Sequence, residues 1–536
     1  MTSTPFTAAV VKPAGTLNVG FKEFGAFSIH PSQTSAAPLI YIGTTVVESL
    51  LAQNEKREFV PKLAKEWALS PDSLLWTVQL NEGVQFHRGL GEMTADDVIW
   101  SMQEMSAEGS VNVFAKDLER LWKNPDGFVK KVDDYTIQVH TGTPQFDMLL
   151  RLSRPIGAWI VSKKEVDELG VEEAKISAGT GPWEIVEHKT GQFWKFKAVE
   201  EHWRKTPEFT ELIFWEIPEE STRVANFSVG KMDTINMSLD SKTAVEKITG
   251  TKFMRVEGGG TINLGMHGNW YVGHGTPEHK ENRPGYNPEL PWVSSNPDIN
   301  SPEWERARKV REALVIAIDR QLIVDAVLHG EGQPLVMWGW ENNLHRLPPE
   351  LRQREYNPER ARQLLVEAGY PDGFEITLTP DIRNIPGEVV ACEAIGTMWE
   401  DVGIRTKINK VPWSTIAPVI LSRNYQGANC HGTGGRADPI NLLNIVFPST
   451  GGFTVGFDHP ILDDLLAKAV GTVDTEERFE IVGEIGRFVY EQVAESGIYS
   501  VNILWPLGPK IDSWKEHLEY GDPRGLSASE YIPHRK

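Results

Sequence analysis

FVPKLAKEWALSPDSLLWTVQLNEGVQFHRGLGEMTADDVIWSM, residues 59–102, packs several elements into one run. Leu63, Ala64 and Trp67 are spaced as a short apolar helical face. Ser70-Pro71-Asp72 has the residues of a turn. Trp76, Val78 and Leu80 alternate as a half-buried strand. Asn81-Glu82-Gly83 predicts the turn after it, and Val84 and Phe86 the return strand. Thr94-Ala95-Asp96-Asp97 reads as a capping box that opens a helix at Val98. An order of helix, hairpin and helix is framework, and nothing in it is chemistry.

The same alternation of elements runs through the chain. Leu17, Val19 and Phe21 alternate. Val310, Ala313, Leu314 and Ala317 keep helical spacing. Asn357-Pro358 caps a helix carrying Ala361, Leu364, Leu365 and Ala368, and Gly369 stops it. Phe374, Ile376 and Leu378 then predict a strand, Glu388–Asp401 a helix and Ile404–Val411 another strand. A strand, helix and strand with short links form a parallel α/β unit. Val272–Trp304 is different. It is rich in Pro, Gly, Asn and His, lacks periodicity, and predicts an inserted surface excursion.

With 536 residues the chain is too long for one core, and two or three domains are expected. A hydrophobic fraction of 40% and a charged fraction of 24% are those of a globular protein. The net charge of −20 disfavours nucleic acid and anionic membrane as partners, since both are polyanions. No run of 18 apolar residues predicts a membrane helix. The opening MTSTPFTAAVVKPAG has neither a basic nor an apolar signal region, so the chain is either cytoplasmic or begins after a removed export signal. Cys392 sits on an apolar stripe with Ile395, Trp399 and Val402. It and Cys430 are either two inert buried thiols or, in an oxidising compartment, a disulfide.

Motifs for catalysis are missing. There is no G-x-S-x-G, H-E-x-x-H, P-loop or paired CxxC, and Gly258-Gly259-Gly260 lacks the strand-to-helix setting of a phosphate cradle. With 74 acidic residues, chance carboxylate pairs are inevitable and none stands out as a glycosidase pair. His267, His274 and His279 group loosely near the Pro/Gly-rich segment and read as solvated loop histidines, with no metal set. The expectation is a protein that is not an enzyme and holds no cofactor or metal.

Several further stretches carry a resemblance. Ile160–Glu165 with Gly179-Thr180-Gly181-Pro182-Trp183, Val199–Trp203, and Phe214–Asp233 with Ile217-Pro218, Ser221-Thr222-Arg223 and Gly230-Lys231-Met232-Asp233 are three. Val310–Gly332, Tyr356–Phe374 and Phe457–Leu466 follow. Collinear with residues 59–102 over Gly15–Pro509, they resemble the family 5 extracytoplasmic solute-binding proteins of ABC importers, the dipeptide-, oligopeptide- and nickel-binding class. Val272–Trp304 has no counterpart in that pattern. The resemblance implies an α/β fold of the periplasmic-binding-protein type (type II), with mixed sheets flanked by helices. Lobe I would be 1–260 plus 506–536, with an added subdomain at about 44–178. Lobe II would be 261–505, with crossings near Gly260–Met266 and Tyr499–Trp505 and a ligand enclosed by hinge motion. It implies a monomeric receptor, periplasmic or otherwise extracytoplasmic and membrane-associated, that hands a small-molecule solute to a membrane permease.

The resemblance also assigns ligand positions. Peptide-binding relatives pair the ligand amine with an aspartate in a loop that aligns with His431–Pro439. Anchored on Asp438-Pro439, that position falls on Gly435, and the loop's tryptophan position falls on Gly432. A buried amine would lose its counter-ion there. His431, Gly434, Gly435 and the neighbouring Arg436 are therefore candidate contacts for some other group. In dipeptide-binding relatives an arginine after a strand of the second lobe holds the ligand carboxylate, and Arg383 falls on that position. Its planar fork suits a carboxylate. Phe27, Trp270, Trp338 and Trp340 are candidate aromatic contacts, alongside the alternative that each is core. An acidic or neutral polar ligand is expected. A di- or oligopeptide, an oligosaccharide and, in a different class, an extracellular hydrolase are the alternatives. A cytoplasmic regulator would need a helix-turn-helix for which residues 1–14 leave no room.

Overall fold

The computed structural model describes residues 12–24, 28–33, 38–53, 59–112, 115–122, 128–145, 148–153, 159–171, 173–176, 178–383, 385–435, 438–451, 453–514 and 528–535. The chain divides into two compact units, Met1–Val256 with Leu504–Lys536, and Glu257–Ile503. It passes between them inside two long strands, Lys252–Met266 and Ser496–Leu507.

The first unit holds a five-stranded sheet in the order Thr234–Ile235, Thr16–Phe21, Glu211–Glu216, Phe193–Ala198, Trp183–Lys189. Leu17, Val19 and Phe21 are buried along the second of these strands. A separate four-stranded sheet, Ala64–Leu69, Leu75–Leu80, Thr136–His140, Val129–Asp133, packs Trp76, Val78 and Leu80 inward as their alternation predicts. The helix expected at Leu63–Trp67 is instead its edge strand. The pairing register shifts between Ala64 and Glu66, so a bulge lets Ala64 and Trp67 both face the core three positions apart, which copies a helical spacing. Val84 and Phe86 are buried, but they form no return strand. The partners of Leu75–Leu80 are Ala64–Leu69 and Thr136–His140. The helix after Thr94 starts at Ala95, three residues before Val98, with the capping box in place: Thr94 accepts from the Asp96 N–H, and Asp97 accepts the Thr94 N–H at 3.0 Å.

The second unit is built on one mixed sheet in the order Gly332–Pro334, Ser496–Leu507, Lys252–Met266, Ala428–Gly434, Glu375–Ile382, Arg405–Ile408. The last two strands run parallel and are joined through the helix Glu388–Asp401, whose bounds are those expected from its periodicity. Strand pairing makes this sheet two-faced. Thr261 and Asn263 lie opposite Thr433 and His431, while Asn429 and His431 lie beside Thr379 and Asp381. One face thus carries a polar row. Ile262, Leu264, Cys430 and Leu378 alternate to the other face, where helix Glu388–Asp401 packs. There Cys392 of the helix and Cys430 of the sheet are joined as a disulfide with Cα atoms 6.0 Å apart, which decides between the two readings of that pair.

The segment 272–304 has little regular structure, as predicted, and much of it is exposed, but side-chain anchors tie it into the fold. Arg283 donates to the Asp458 carboxylate at 2.6 Å and to the Ser449 carbonyl at 2.8 Å. The Trp292 indole donates to the His267 carbonyl at 2.8 Å, and Trp292, Val293 and Trp304 are buried. Side-chain anchors distributed through an aperiodic chain leave no repeating signal, so the sequence does not announce them. The histidines follow suit. His267 and His279 are buried and bonded to the Asn429 side chain and the Trp270 carbonyl; among the three only His274 is part-exposed.

Candidate functional site

The polar row ends in a cluster of charge and aromatic rings. Strand Glu375–Ile382 delivers Asp381 at its C-terminal end, and the loop after it delivers Arg383. The backbone at Arg383 and Ile385 is tied down for a local reason. Glu388, the first residue of the following helix, accepts the N–H of Arg383 at 3.0 and 3.1 Å and of Ile385 at 3.1 Å. Tyr499 donates its hydroxyl to the Pro386 carbonyl at 2.7 Å. Arg383 is thereby held at a fixed starting point, which a binding group requires.

The Arg383 guanidinium lies 4.9 Å from the ring centre of Trp413 and puts Nη1 3.1 Å from Nε2 of His431. The other ring nitrogen, Nδ1, is 2.7 Å from Asp381 Oδ2. Asn429 donates to that same oxygen at 2.9 Å and accepts from His267 Nε2 at 2.9 Å. Burial drives the Asp381 carboxyl well above the usual carboxylate range, opposed by the charge of Arg383 and the Asn429 hydrogen bond. Burial holds His267 neutral, with its pKa lowered to about 4. Around His431 stand Trp413 at 4.8 Å, Phe453 at 4.9 Å and Trp338 at 5.4 Å between ring centres. At the far end of the row Tyr425 covers His267 and shares a 2.7 Å hydrogen bond with Thr379.

Of the expected contacts, the structure brings Arg383, His431 and Trp338 together. The Trp338 indole bridges Thr261 and Thr433 at 3.1 and 3.3 Å across two strands. Trp340 is core, against Gly486 of the helix Thr475–Gln492. Trp270 is fully buried in the short ribbon it makes with Asp458. Gly434 pairs with Gly260, and the N–H of Gly435 reaches the Gly259 carbonyl at 3.3 Å. A Cβ at Gly435 would stand 2.1 Å from the Gly258 carbonyl oxygen, so this backbone leaves no room for an aspartate there. Ile385 fills the space beside Gly432 in the same way, 2.5 Å from a Cβ built at that position. Phe27 and Arg436 lie outside the described residues.

Sequence reasoning missed Asp381, Asn429, Trp413 and Phe453 as parts of this cluster. One signal was available. Asn429, His431 and Thr433 alternate as polar residues in a fully buried strand, ANCHGTG. Buried polar groups need partners, so such a strand announces a polar neighbour. Among the described residues no cluster of His, Cys, Asp and Glu has the arrangement of a metal site, and no helix is long and apolar enough to cross a membrane.

Comparison with known proteins agrees with this architecture. Residues 58–454 match the family described as bacterial extracellular solute-binding proteins, family 5 Middle. Heme-binding protein A of Haemophilus influenzae is 27% identical over 490 residues, covering 85% of this chain and 81% of that protein. The dipeptide-binding protein of Escherichia coli is 24% identical over 508 residues, 86% of each chain. The solved periplasmic binding protein AgaA of A. tumefaciens R10, in complex with agropinic acid, superposes with a TM-score of 0.77 at 19% identity, covering 97% of this chain and 99% of that one. That likeness shows the fold, the mixed α/β class of two-lobed periplasmic binding proteins. The chain belongs to the bacterial extracellular solute-binding proteins of family 5, which are non-enzymatic substrate receptors of ABC importers.

Proposed function

We propose that this receptor captures a small solute presenting a carboxylate, or a comparable neutral acceptor, to Arg383, and delivers it outside the cytoplasm to a membrane permease. The observation that carries the reading is the mounting of Arg383. Its backbone is locked by Glu388, and its guanidinium lies over Trp413 beside His431. A planar cation so fixed pre-organises two parallel hydrogen bonds to a carboxylate. The crowding at Gly435 supports a ligand that needs no amine counter-ion at that position. AgaA, with the same fold, was solved with an acid. Trp338 and His431 would face the same ligand region, while Trp270 and Trp340 serve packing.

A dipeptide is the second reading, favoured by the name of the Escherichia coli relative. Arg383 would then take the peptide carboxylate. Calorimetry with organic acids, sugar acids and dipeptides separates the two, using N-acetylated and C-amidated versions of each peptide. Arg383→Ala is expected to weaken the best acid by about tenfold or more, the size of a charge-assisted pair at a half-buried site. N-acetylation is expected to matter little and C-amidation to abolish peptide binding. Unchanged acid affinity in Arg383→Ala would remove the proposal.

A further inference from the structure

The contacts of Arg383 impose a direction on every hydrogen bond behind it. Guanidinium has donors and no acceptor. At 3.1 Å from Arg383 Nη1, the Nε2 of His431 must therefore accept and carry no proton. The proton of a neutral imidazole then sits on Nδ1 and is given to Asp381 Oδ2 at 2.7 Å. Asn429 gives a second hydrogen bond to that oxygen, which turns its carboxamide oxygen toward the Nε2–H of His267. Two donor chains thus converge on one carboxylate that is 2% exposed. Trp413, Phe453 and Trp338 hold the imidazole edge and face, so it cannot turn aside.

We propose that Asp381 and His431 are positioning residues for ligand capture: Asp381 fixes His431 as the Nδ1–H tautomer, and the bare Nε2 aims the Arg383 guanidinium. The neutral imidazole stands between Asp381 and Arg383 and passes the influence of one to the other. The wrong tautomer, or a doubly protonated ring, would oppose an N–H to the N–H of Arg383 and displace the guanidinium. The effect on ligand rests on Arg383 being the anion grip; the tautomer does not. His431→Gln retains an acceptor near Nε2. His431→Leu removes it. Asp381→Asn can still present its amide oxygen to both donors, whereas Asp381→Leu removes the acceptor of Nδ1–H.

Long-range nitrogen–proton NMR of ligand-free protein labelled with ¹⁵N-histidine reads the tautomer directly at neutral pH, with His431 assigned from the missing signal in His431→Gln. The expected result is a protonated Nδ1 and bare Nε2, kept in Asp381→Asn and weakened in Asp381→Leu. A second readout is the rate at which phenylglyoxal modifies Arg383, followed by mass spectrometry. His431→Leu is expected to raise that rate by about threefold or more, and His431→Gln to leave it within about twofold of wild type, because the hydrogen bond and its direction are lost only in the first. With only the conservative His431→Gln having to fold for the assignment, a wild-type Nε2–H or imidazolium ring would overturn the proposal. So would equal rates in His431→Leu and wild type. Neither result bears on whether Arg383→Ala loses acid binding, so the two readings fail separately.

Discussion

Glu495 should make the second unit less stable as pH rises, and by a measurable amount. Its side chain is 1% exposed and accepts the backbone N–H of Trp338 at 3.0 Å. Burial lifts its pKa from 4.5 to about 8, despite the Trp338 N–H and the charges of Arg354 and Arg320, which pull the other way. The folded state therefore holds a proton that the unfolded chain releases near pH 4.5. Stability from this group is fully present below that pH and is lost as pH rises through about 8. From about pH 5 to pH 8 the loss amounts to about 3 kcal/mol at 1.36 kcal/mol per pH unit. In Glu495→Gln the side chain is neutral throughout, so the difference between variant and wild type isolates the effect from all other titrations. For a unit the size of Glu257–Ile503, each kcal/mol moves the melting temperature by roughly 2–4 °C, so the gap should widen by about 6 °C or more across that range. Calorimetric melts of both proteins across the range provide the test. Parallel curves, or a gap that widens towards acid, would refute the argument that burial governs Glu495.

Two further outcomes follow from packing. Replacing Cys392 and Cys430 together by Ser opens a cross-link spanning 38 residues between helix and sheet, and should cost about 4 kcal/mol on the loop-entropy scale; urea titration of the double variant against wild type measures it, and an unchanged midpoint would show that the bond adds nothing. Gly435→Asp, which restores the acidic residue of peptide-binding relatives, should destabilise the second unit by a few kcal/mol, since its Cβ meets the Gly258 carbonyl at 2.1 Å. A variant as stable as wild type that gains peptide affinity in calorimetry would contradict that account.

Local signals served well wherever neighbours in sequence decide the structure. The capping box at Thr94, the Asn357 cap with its helix, and the bounds of Glu388–Asp401 were all legible, because a cap and a helical stripe are set within a few residues. The same reasoning misread Leu63–Trp67, where a bulge against a partner strand restored a three-residue spacing. It did not foresee the anchors of 272–304, of which those from Arg283 lie well over a hundred residues away at Asp458 and Ser449.

The site divides along the same line. The sequence by itself determined the family pattern, the α/β class, the loss of a side chain at Gly435 and the candidacy of Arg383. Only the tertiary structure decided what Arg383 touches. His431 lies 48 residues further along the chain and Asp381 is 50 residues from His431, and the three meet because two parallel strands pair in a register that puts Asp381 beside His431. Register and covering rings are long-range outcomes of burying a sheet on both faces, so no local pattern encodes them.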